Sequence, residues 1–234
     1  MSDEKKLAPA SSKAEVDAFL KRVAVAPRPT AAGTGGRLIF ALDATASREP
    51  TWDRACHIQA EMFSETASLG GLQIQLIYYR GFREFHASRW HKGADTLLRQ
   101  MTGVHCLAGH TQIGRVLKQA IRETKAKQVN ALVFVGDSIE EDIDRLGDLA
   151  GQLGLLSLPC FLFHEGGDQA TRRAFEQIAR LSGGACCAFD ASSAQQLKDL
   201  LSAVAVFAAG GRKALADYSA QKGGVVRLLT QQVS

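Results

Sequence analysis

The sequence contains no run of about eighteen apolar residues, which is the length that a membrane-spanning helix requires. Its first residues carry mixed charges and lack the apolar segment of a secretory signal. Proline is also scarce, with 5 residues in 234, which excludes collagen-like and proline-rich disordered chains. We therefore expect a globular, cytoplasmic protein that has no membrane partner.

Cysteine is infrequent and its spacing does not match a redox or zinc motif. The number of cysteines is odd, none forms a C-x-x-C pair, and two are adjacent in an apolar stretch: Cys56, Cys106, Cys160, Cys186 and Cys187. This pattern is typical of reduced thiols buried as small hydrophobic side chains.

The sequence also lacks the loops that nucleotide-binding and hydrolytic enzymes need. Its glycine clusters, at 33–36 and 183–184, precede a predicted strand or follow a predicted helix, and no GKS or GKT occurs. No G-x-S-x-G surrounds Ser47, and Ala44 and Thr45 stand where a second carboxylate beside Asp43 would be needed. We therefore expect a protein that is not an enzyme.

The net charge of +4 does not indicate a nucleic-acid surface. Residues 1–34 carry six basic and four acidic groups, and residues 211–234 carry four basic and one acidic, which leaves −1 for the segment between them. The predicted folded core is therefore close to neutral, and we expect no nucleic-acid partner.

The length and the 46% hydrophobic content are sufficient for one sizeable core. Residues 1–34 hold a short helical pattern and a segment rich in Pro, Gly and Ala, so they are interpreted as an N-terminal arm or linker. Residues 35–210 are predicted to form one domain, and 211–234 a C-terminal tail.

Strand-like and helix-like segments alternate from residue 37 onward. The predicted strands cover residues 37–43, 72–80, 82–90, 131–137, 159–165 and 186–190. Most are continuous apolar runs, as in strands buried on both faces, whereas 82–90 alternates after a turn at Gly81. The sequence therefore predicts a three-layer, Rossmann-like α/β fold, doubly wound and mostly parallel, with one antiparallel edge strand and helices on both faces.

Helix-period apolar faces separate the strands, at 52–67, 113–121, 143–153, 175–179 and 197–204. Two helix starts match the capping box, in which side chains three residues apart satisfy free backbone donors: Ser138 with Glu141, and Ser192 with Gln195. Acidic residues also crowd one predicted helix start: Glu140, Glu141, Asp142 and Asp144. The helix dipole accounts for them better than a second metal site does.

Oxygen-bearing side chains follow the predicted strands at the edge where ligands bind in open α/β sheets. The first strand ends in Asp43-Ala44-Thr45-Ala46-Ser47, Thr111 precedes a long helix, and Asp137 ends the fourth predicted strand. Three separate segments thus deliver carboxylates and hydroxyls to one edge.

This pattern, Asp43-x-Thr45-x-Ser47 followed by Thr111 and Asp137, resembles the metal-ion-dependent adhesion site (MIDAS) of von Willebrand factor A (VWA) domains. The resemblance covers roughly residues 37–209, including the edge hairpin and the closing stretch IARLSGGACCAFDASS. Thr45 stands where the family more often has Ser, and Ser138 follows Asp137 where Gly is frequent. The resemblance implies a VWA fold and an adaptor or assembly function inside the cell.

It also implies a cation, Mg²⁺ or else Mn²⁺ or Ca²⁺, held by Asp43, Thr45, Ser47, Thr111 and Asp137. Mg²⁺ takes octahedral oxygen ligands, and neutral hydroxyls leave its charge incompletely neutralised. An Asp or Glu carboxylate of a partner protein can then complete the coordination sphere. The residues flanking the motif, Arg48, Trp52 and His110, are candidates for the rim of this contact.

Several alternatives stay open from the sequence. Asp43, Thr45 and Ser47 could tighten a loop, Thr111 could cap a helix, and Trp52 could be a core residue. His91, His105, Cys106 and His110 form a weak zinc-like cluster. The function could be that of a metal-independent scaffold with a vestigial site or, with less support, of a Mg²⁺-dependent hydrolase. The oligomeric state is not indicated.

Overall fold

The computed structural model describes residues 13–26, 36–49, 72–92, 99–189 and 194–222. The strands within these stretches are β1 (Arg37–Asp43), β2 (Gln73–Arg80), β3 (Glu84–Ala87), β4 (His91–Lys92), β5 (Ala131–Gly136), β6 (Cys160–Glu165) and β7 (Ala185–Phe189). The longer helices are α1 (Lys13–Val25), α2 (Ile113–Ala126), α3 (Ile143–Leu155), α4 (Gln169–Ser182) and α5 (Ala194–Lys222). The predicted helix at 52–67 lies outside the described residues.

The strands form one sheet in the order β3-β2-β1-β5-β6-β7, with β4 also paired to β2. Strands β2, β1, β5, β6 and β7 run parallel, and β3 and β4 run antiparallel to β2. The predicted mostly parallel sheet with an antiparallel edge is therefore confirmed.

The antiparallel edge differs from its prediction, because 82–90 is not one continuous strand. The backbone N–H of Leu76 donates to Ser88 Oγ at 2.9 Å, and the Gln75 amide donates to the Ser88 carbonyl at 2.9 Å. A serine hydroxyl thus replaces a backbone acceptor, and regular pairing stops at β3 and resumes at β4. Local side-chain bonds of this kind compete with the sheet ladder.

Apolar side chains fill both faces of the sheet. One cluster joins α1 and α5 to residues such as Phe40, Phe161 and Phe163 of the strands. The other joins α2, α3 and α4 to alternate strand residues such as Phe134. Since neighbouring residues of a strand point to opposite faces, continuous apolar strands require helices on both sides.

The first helix belongs to the domain core. Val16, Phe19, Leu20 and Val23 of α1 are at most 3% exposed, and Phe19 packs against the rings of Phe161 and Phe163. Residues 13–26, predicted to lie in an N-terminal arm, therefore contribute to the core. The reason is that the apolar face of α1 packs on an apolar surface of the sheet. The short sequence pattern of α1 could not reveal this contact, because the surface belongs to strands distant in sequence.

The C-terminal helix also extends past the predicted domain end at residue 210. At Gly211 the backbone adopts φ 68° and ψ −159°, and helix continues to Lys222. Leu215, beyond this break, is 2% exposed. The predicted boundary therefore coincides with a change of direction and not with the end of packing.

The start of α3 corrects one predicted helix cap. Asp142 is the N-cap, since its carboxylate accepts from the backbone N–H groups of Asp144 and Arg145. The predicted capping box of Ser138 and Glu141 is therefore wrong, because Glu141 bonds to a different helix. Ser192 of the second predicted box lies outside the described residues. Within the described part of the chain, every helix falls short of what a membrane span requires in length and apolar content.

Candidate metal centre

The candidate site lies where β1 and β5 end side by side. Asp43 is the last residue of β1, and the neighbouring strand β5 ends at Gly136, directly before Asp137. A Cβ added to Gly136 would lie 3.5 Å from Asp43 Cβ and only 2.8 Å from the Phe134 ring. A larger residue at this position would therefore have to displace the Phe134 ring, whereas its contact with Asp43 would be an ordinary one.

Asp43 is fully buried and hydrogen-bonded at both oxygens. The Thr45 backbone N–H donates to Oδ1 at 2.8 Å, and the Tyr79 hydroxyl donates to Oδ2 at 2.9 Å. Burial raises the pKa of Asp43 above its ordinary value; the Thr45 hydrogen bonds lower this pKa and the charge of Asp137 raises it. The site thus holds a carboxylate whose negative charge is disfavoured until a positive charge offsets it.

The two hydroxyls of the first loop lie next to each other. Thr45 Oγ1 and Ser47 Oγ are 3.1 Å apart, with Thr45 buried and Ser47 exposed. Thr45 precedes the short 3-10 helix Ala46–Arg48, but its side chain makes no capping hydrogen bond. The loop is tightened by the Asp43 carboxylate, so both hydroxyls keep capacity for an additional partner.

Thr111 is held between the first loop and the loop after β5. The backbone N–H of Glu140 donates to Thr111 Oγ1 at 3.1 Å, and the Thr111 N–H donates to Glu140 Oε2 at 3.2 Å. Upstream, the Leu107 N–H donates to the Ala44 carbonyl at 3.1 Å. Thr111 is not the N-cap of α2, since that position is Gln112.

Asp137 supplies the clearest sign that the residues of the site fit a cation. Its Oδ1 is buried, and no group in the described stretches hydrogen-bonds to it. A buried carboxylate oxygen without a donor costs free energy, so such an atom indicates an ion or a bound group. Two carboxylates and three hydroxyls are the hard oxygen donors that Mg²⁺ and Ca²⁺ take, and the residues present therefore fit such a cation.

Softer ligands do not gather in the described part of the chain. Within it, no group of three or more His, Cys, Asp and Glu side chains could hold a metal ion. This includes the zinc-like segment with His91, His105, Cys106 and His110. A cation between Asp43 and Asp137 therefore depends on the hydroxyls for the rest of its protein ligands.

The acidic run after Asp137 serves two different helices. Asp142 caps α3, whereas Glu141 reaches across to the start of α2, where it accepts from the N–H groups of Ile113 at 2.5 Å and Gly114 at 2.8 Å. The helix-dipole interpretation therefore holds, but for Glu141 the helix is α2. This link fixes the position of Thr111 relative to Asp137.

Of the three predicted rim residues, His110 is exposed beside the site. Its side chain is 65% exposed, and Nδ1 lies 2.8 Å from Glu140 Oε2. Its ring packs edge-on against Phe82 at 5.3 Å. Phe82 is 71% exposed and Leu107 is 45% exposed. Sequence reasoning missed Phe82 and Leu107, and the only available signal was a large apolar residue in a turn.

The prediction that Arg48 lies on the rim is contradicted by its burial. Arg48 is 1% exposed and its Nε lies 2.9 Å from Glu165 Oε2, so its guanidinium is a buried ion-pair partner. This corrects its prediction as a rim residue: the 3-10 turn directs the side chain inward toward the end of β6. Trp52 lies outside the described residues.

Two further residues at the site were not found from the sequence. Tyr79 pairs with Asp43 in the β1–β2 register, and burial raises the pKa of its hydroxyl well above the ordinary value. His164, 1% exposed, pairs with Gly136, and burial lowers its pKa. Both residues lie in strands that are otherwise largely apolar. Their place at the site therefore becomes evident only from the register between neighbouring strands.

Gly81 and Gly109 bring the turn that carries Phe82 into contact with the segment that carries His110. A Cβ on Gly109 would lie 1.9 Å from the Gly81 carbonyl oxygen, and Gly81 itself has φ +58°. The Gly81 N–H donates to the Leu107 carbonyl at 3.3 Å. Close backbone contact, possible only for glycine, therefore holds the turn that carries Phe82 against the segment that carries His110.

The sequence matches no protein-family model and no curated protein. Its structure is similar to the SpRpn10 VWA domain, with TM-score 0.58 and 14% identity over 71% of this chain and 93% of that one. It is also similar to a von Willebrand factor type A protein from Catenulispora acidiphila, with TM-score 0.58 and 15% identity over 74% of this chain and 43% of that one. A third similar structure is the ArnB paralog VWA2 from Sulfolobus acidocaldarius, with TM-score 0.53 and 12% identity over 75% of this chain and 47% of that one.

The chain thus has the VWA fold, as its motif resemblance implied. It spans less than half of the length of the second and third of these structures. At such identities the likeness concerns the fold, and the function depends on the site itself.

Proposed function

We propose that this protein is a non-enzymatic, divalent-cation-dependent protein-binding domain of the adaptor or assembly kind. The observation that carries the proposal is the buried Oδ1 of Asp137, which has no hydrogen-bond partner among the described residues, beside the fully buried Asp43. Asp43, Thr45, Ser47, Thr111 and Asp137 would hold the ion, Mg²⁺ or else Mn²⁺ or Ca²⁺. The VWA fold supports a role in protein interaction.

The character of the ligands supports an acidic partner. A bound Mg²⁺ would supply a hard cation with a coordination position for an Asp or Glu carboxylate of the partner. Asp43 already accepts hydrogen bonds at both oxygens and its burial raises its pKa, and the donors besides the two carboxylates are neutral hydroxyls. The protein therefore leaves part of the ion's charge for the partner to neutralise.

The surroundings support a protein surface as the ligand. Phe82 and Leu107 are exposed apolar side chains, the Phe82 ring packs on His110, and the Gly81 N–H donates to the Leu107 carbonyl, so the two segments that carry them meet. Exposed apolar side chains at such a junction are candidates for contact with a partner. Apolar contacts around one central polar contact are typical of protein interfaces. We propose that the three residues form the rim that surrounds the partner's acidic side chain.

Isothermal titration calorimetry with MnCl₂ and MgCl₂ tests the metal part of the proposal. We expect uptake of one ion by the full chain, loss of that uptake in Asp137→Ala, and normal uptake in Asp148→Ala, an exposed aspartate in the middle of α3. Equal uptake by the two variants would refute the assigned site.

The partner part is tested with immobilised full chain and cell extract. We expect specific proteins to be captured in Mg²⁺ and lost both in EDTA and with Ser47→Ala. Capture indifferent to EDTA would favour the metal-independent scaffold with a vestigial site. Steady hydrolysis of a phosphate ester that Asp43→Ala abolishes would favour the Mg²⁺-dependent hydrolase.

A further inference from the structure

His164 is a buried histidine that lies one strand away from the segment leading to Asp137. It belongs to β6 and pairs in register with Gly136, the residue directly before Asp137. It is 1% exposed, and its ring packs edge-on against the ring of Phe175 in α4, with 5.6 Å between the ring centroids. The imidazole is therefore held at the same edge of the sheet as the candidate metal centre.

Neither ring nitrogen of His164 has a hydrogen-bond partner among the described residues. Burial lowers the pKa of His164, so its ring is neutral at pH 7 and has one N–H donor and one acceptor nitrogen. Buried polar groups are nearly always paired, because an unpaired group has lost its hydrogen bonds to water without replacement. The two nitrogens therefore call for a nearby group with which the ring can bond.

Asp137 offers the acceptor that this donor lacks. Against the larger effect of burial, the main-chain carbonyl and the charge of Asp137 both raise the pKa of His164, so the ring lies close to this residue. Asp137 Oδ1 is itself buried and has no partner in the described part of the chain. An unpaired donor and an unpaired acceptor thus lie at the ends of two neighbouring strands.

We propose that His164 is a positioning residue for the cation: its ring N–H donates to Asp137 in the cation-bound state and holds the Asp137 carboxylate in the direction that coordination requires. This inference rests on the proposed function, since it needs a cation at Asp137. Groups that hydrogen-bond to metal ligands fix the orientation of those ligands, and their loss typically weakens metal binding by about tenfold to a hundredfold.

Two other roles fit His164 less well. Among the described residues, no group of three or more His, Cys, Asp and Glu side chains could hold a metal ion, and Mg²⁺ prefers oxygen ligands to imidazole. Direct contact with a partner protein is excluded because His164 is 1% exposed. A side chain that only filled space against Phe175 would be better apolar, since the imidazole buries two unpaired nitrogens.

His164→Phe tests the proposal, because phenylalanine keeps a ring against Phe175 and removes both nitrogens. We expect calorimetric titration with MnCl₂ to show binding to the full chain that is about tenfold weaker than in the wild type. In EDTA we expect urea unfolding to show that the variant is at least as stable as the wild type, because it no longer buries unpaired polar atoms. A residue that only supported the fold would lower this stability, so the two measurements separate the two roles.

Two amide variants identify the nitrogen that donates. The amide nitrogen of His164→Asn takes approximately the place of Nδ1, and that of His164→Gln the place of Nε2, so we expect one of the two variants to restore most of the Mn²⁺ affinity. Leu162→Val is the matched control, since Leu162 lies two residues earlier on the same face of β6, is buried and carries no donor. It should lower stability and leave Mn²⁺ binding unchanged.

Equal Mn²⁺ affinity in His164→Phe and the wild type would overturn this inference and leave the proposed function intact. The inference would also be overturned if neither amide variant restored affinity, or if His164→Phe lost stability in EDTA. Absence of Mn²⁺ binding to the wild type would refute the proposed function, and this inference with it.

Discussion

Replacement of Asp43 by Asn removes a buried charge and keeps the shape of the side chain. The Asn oxygen can accept from the Thr45 N–H, now at 2.8 Å from Oδ1, and its amide can donate to the Tyr79 oxygen, now at 2.9 Å from Oδ2. Both local hydrogen bonds therefore survive, whereas the repulsion between Asp43 and Asp137 disappears. We expect Asp43→Asn to be more stable than the wild type without a divalent ion, because functional sites often hold interactions that destabilise the fold.

The size of the effect follows from the cost of an uncompensated buried charge. We expect the free energy of unfolding in EDTA to rise by at least about 1 kcal/mol. For a domain of this size that is a rise in Tm of about 2–4 °C. The order of stability of the two proteins reverses when the ion is present. At a Mg²⁺ concentration one hundred times Kd, the free energy of unfolding of the wild type rises by about 2.7 kcal/mol and its Tm by about 5–11 °C, whereas neither quantity changes for Asp43→Asn.

Urea unfolding followed by circular dichroism, in EDTA and in Mg²⁺, measures both differences. Tyr79→Phe is the control, since it removes a donor to Asp43 and should destabilise the protein by about 1 kcal/mol in EDTA. The reasoning fails if Asp43→Asn is less stable than the wild type in EDTA, or if Mg²⁺ stabilises the two proteins equally.

Three other substitutions test the supporting structure. Gly109→Ala places a methyl group against the Gly81 carbonyl oxygen, and we expect thermal unfolding to show a loss of about 1–3 kcal/mol. Asp168→Ala removes the N-cap of α4, which should cost about 1 kcal/mol at neutral pH. Hydrogen bonds from Thr171 lower the pKa of Asp168, so this carboxylate stabilises the fold above its unfolded-state pKa. The difference between wild type and variant should therefore vanish in urea titrations as the pH falls through the lowered value, and a constant difference would contradict this assignment. Phe82→Ala should change stability by less than about 0.5 kcal/mol but weaken capture of the Mg²⁺-dependent partner, and unchanged capture would exclude Phe82 from the rim.

The sheet and the placement of Asp43 and Asp137 could be predicted from the sequence. Both depend on local patterns, since buried parallel strands are continuous apolar runs and their carboxyl ends share one edge. The order of the strands and of the polar loops was sufficient to predict that the two carboxylates lie at the same edge of the sheet.

Features that depend on contacts distant in sequence could not be predicted in this way. Glu141 looked like part of its own helix start, but it bonds to the N-terminus of α2, twenty-seven residues earlier at Gly114. Arg48 was predicted to be a rim residue because it flanks the motif, yet it is buried and ion-paired with Glu165. In both residues a long side chain reaches a partner that the local pattern does not contain.

The packing of α1 illustrates the same limit for a whole element. Its apolar face is only one stripe, and a short amphipathic helix beside a segment rich in Pro and Gly resembles an arm. Contact with the sheet through Phe19 decides its place in the core.

The central claim is that one divalent cation binds between the ends of β1 and β5. Its most direct test is a crystal of the full chain grown with Mn²⁺, measured at a wavelength where Mn²⁺ scatters anomalously. We predict an anomalous peak in contact with Ser47 Oγ and close to the carboxylates of Asp43 and Asp137, absent from crystals of Asp137→Ala. A wild-type map with no peak there, in which Asp137 Oδ1 bonds instead to another protein group, would contradict the account.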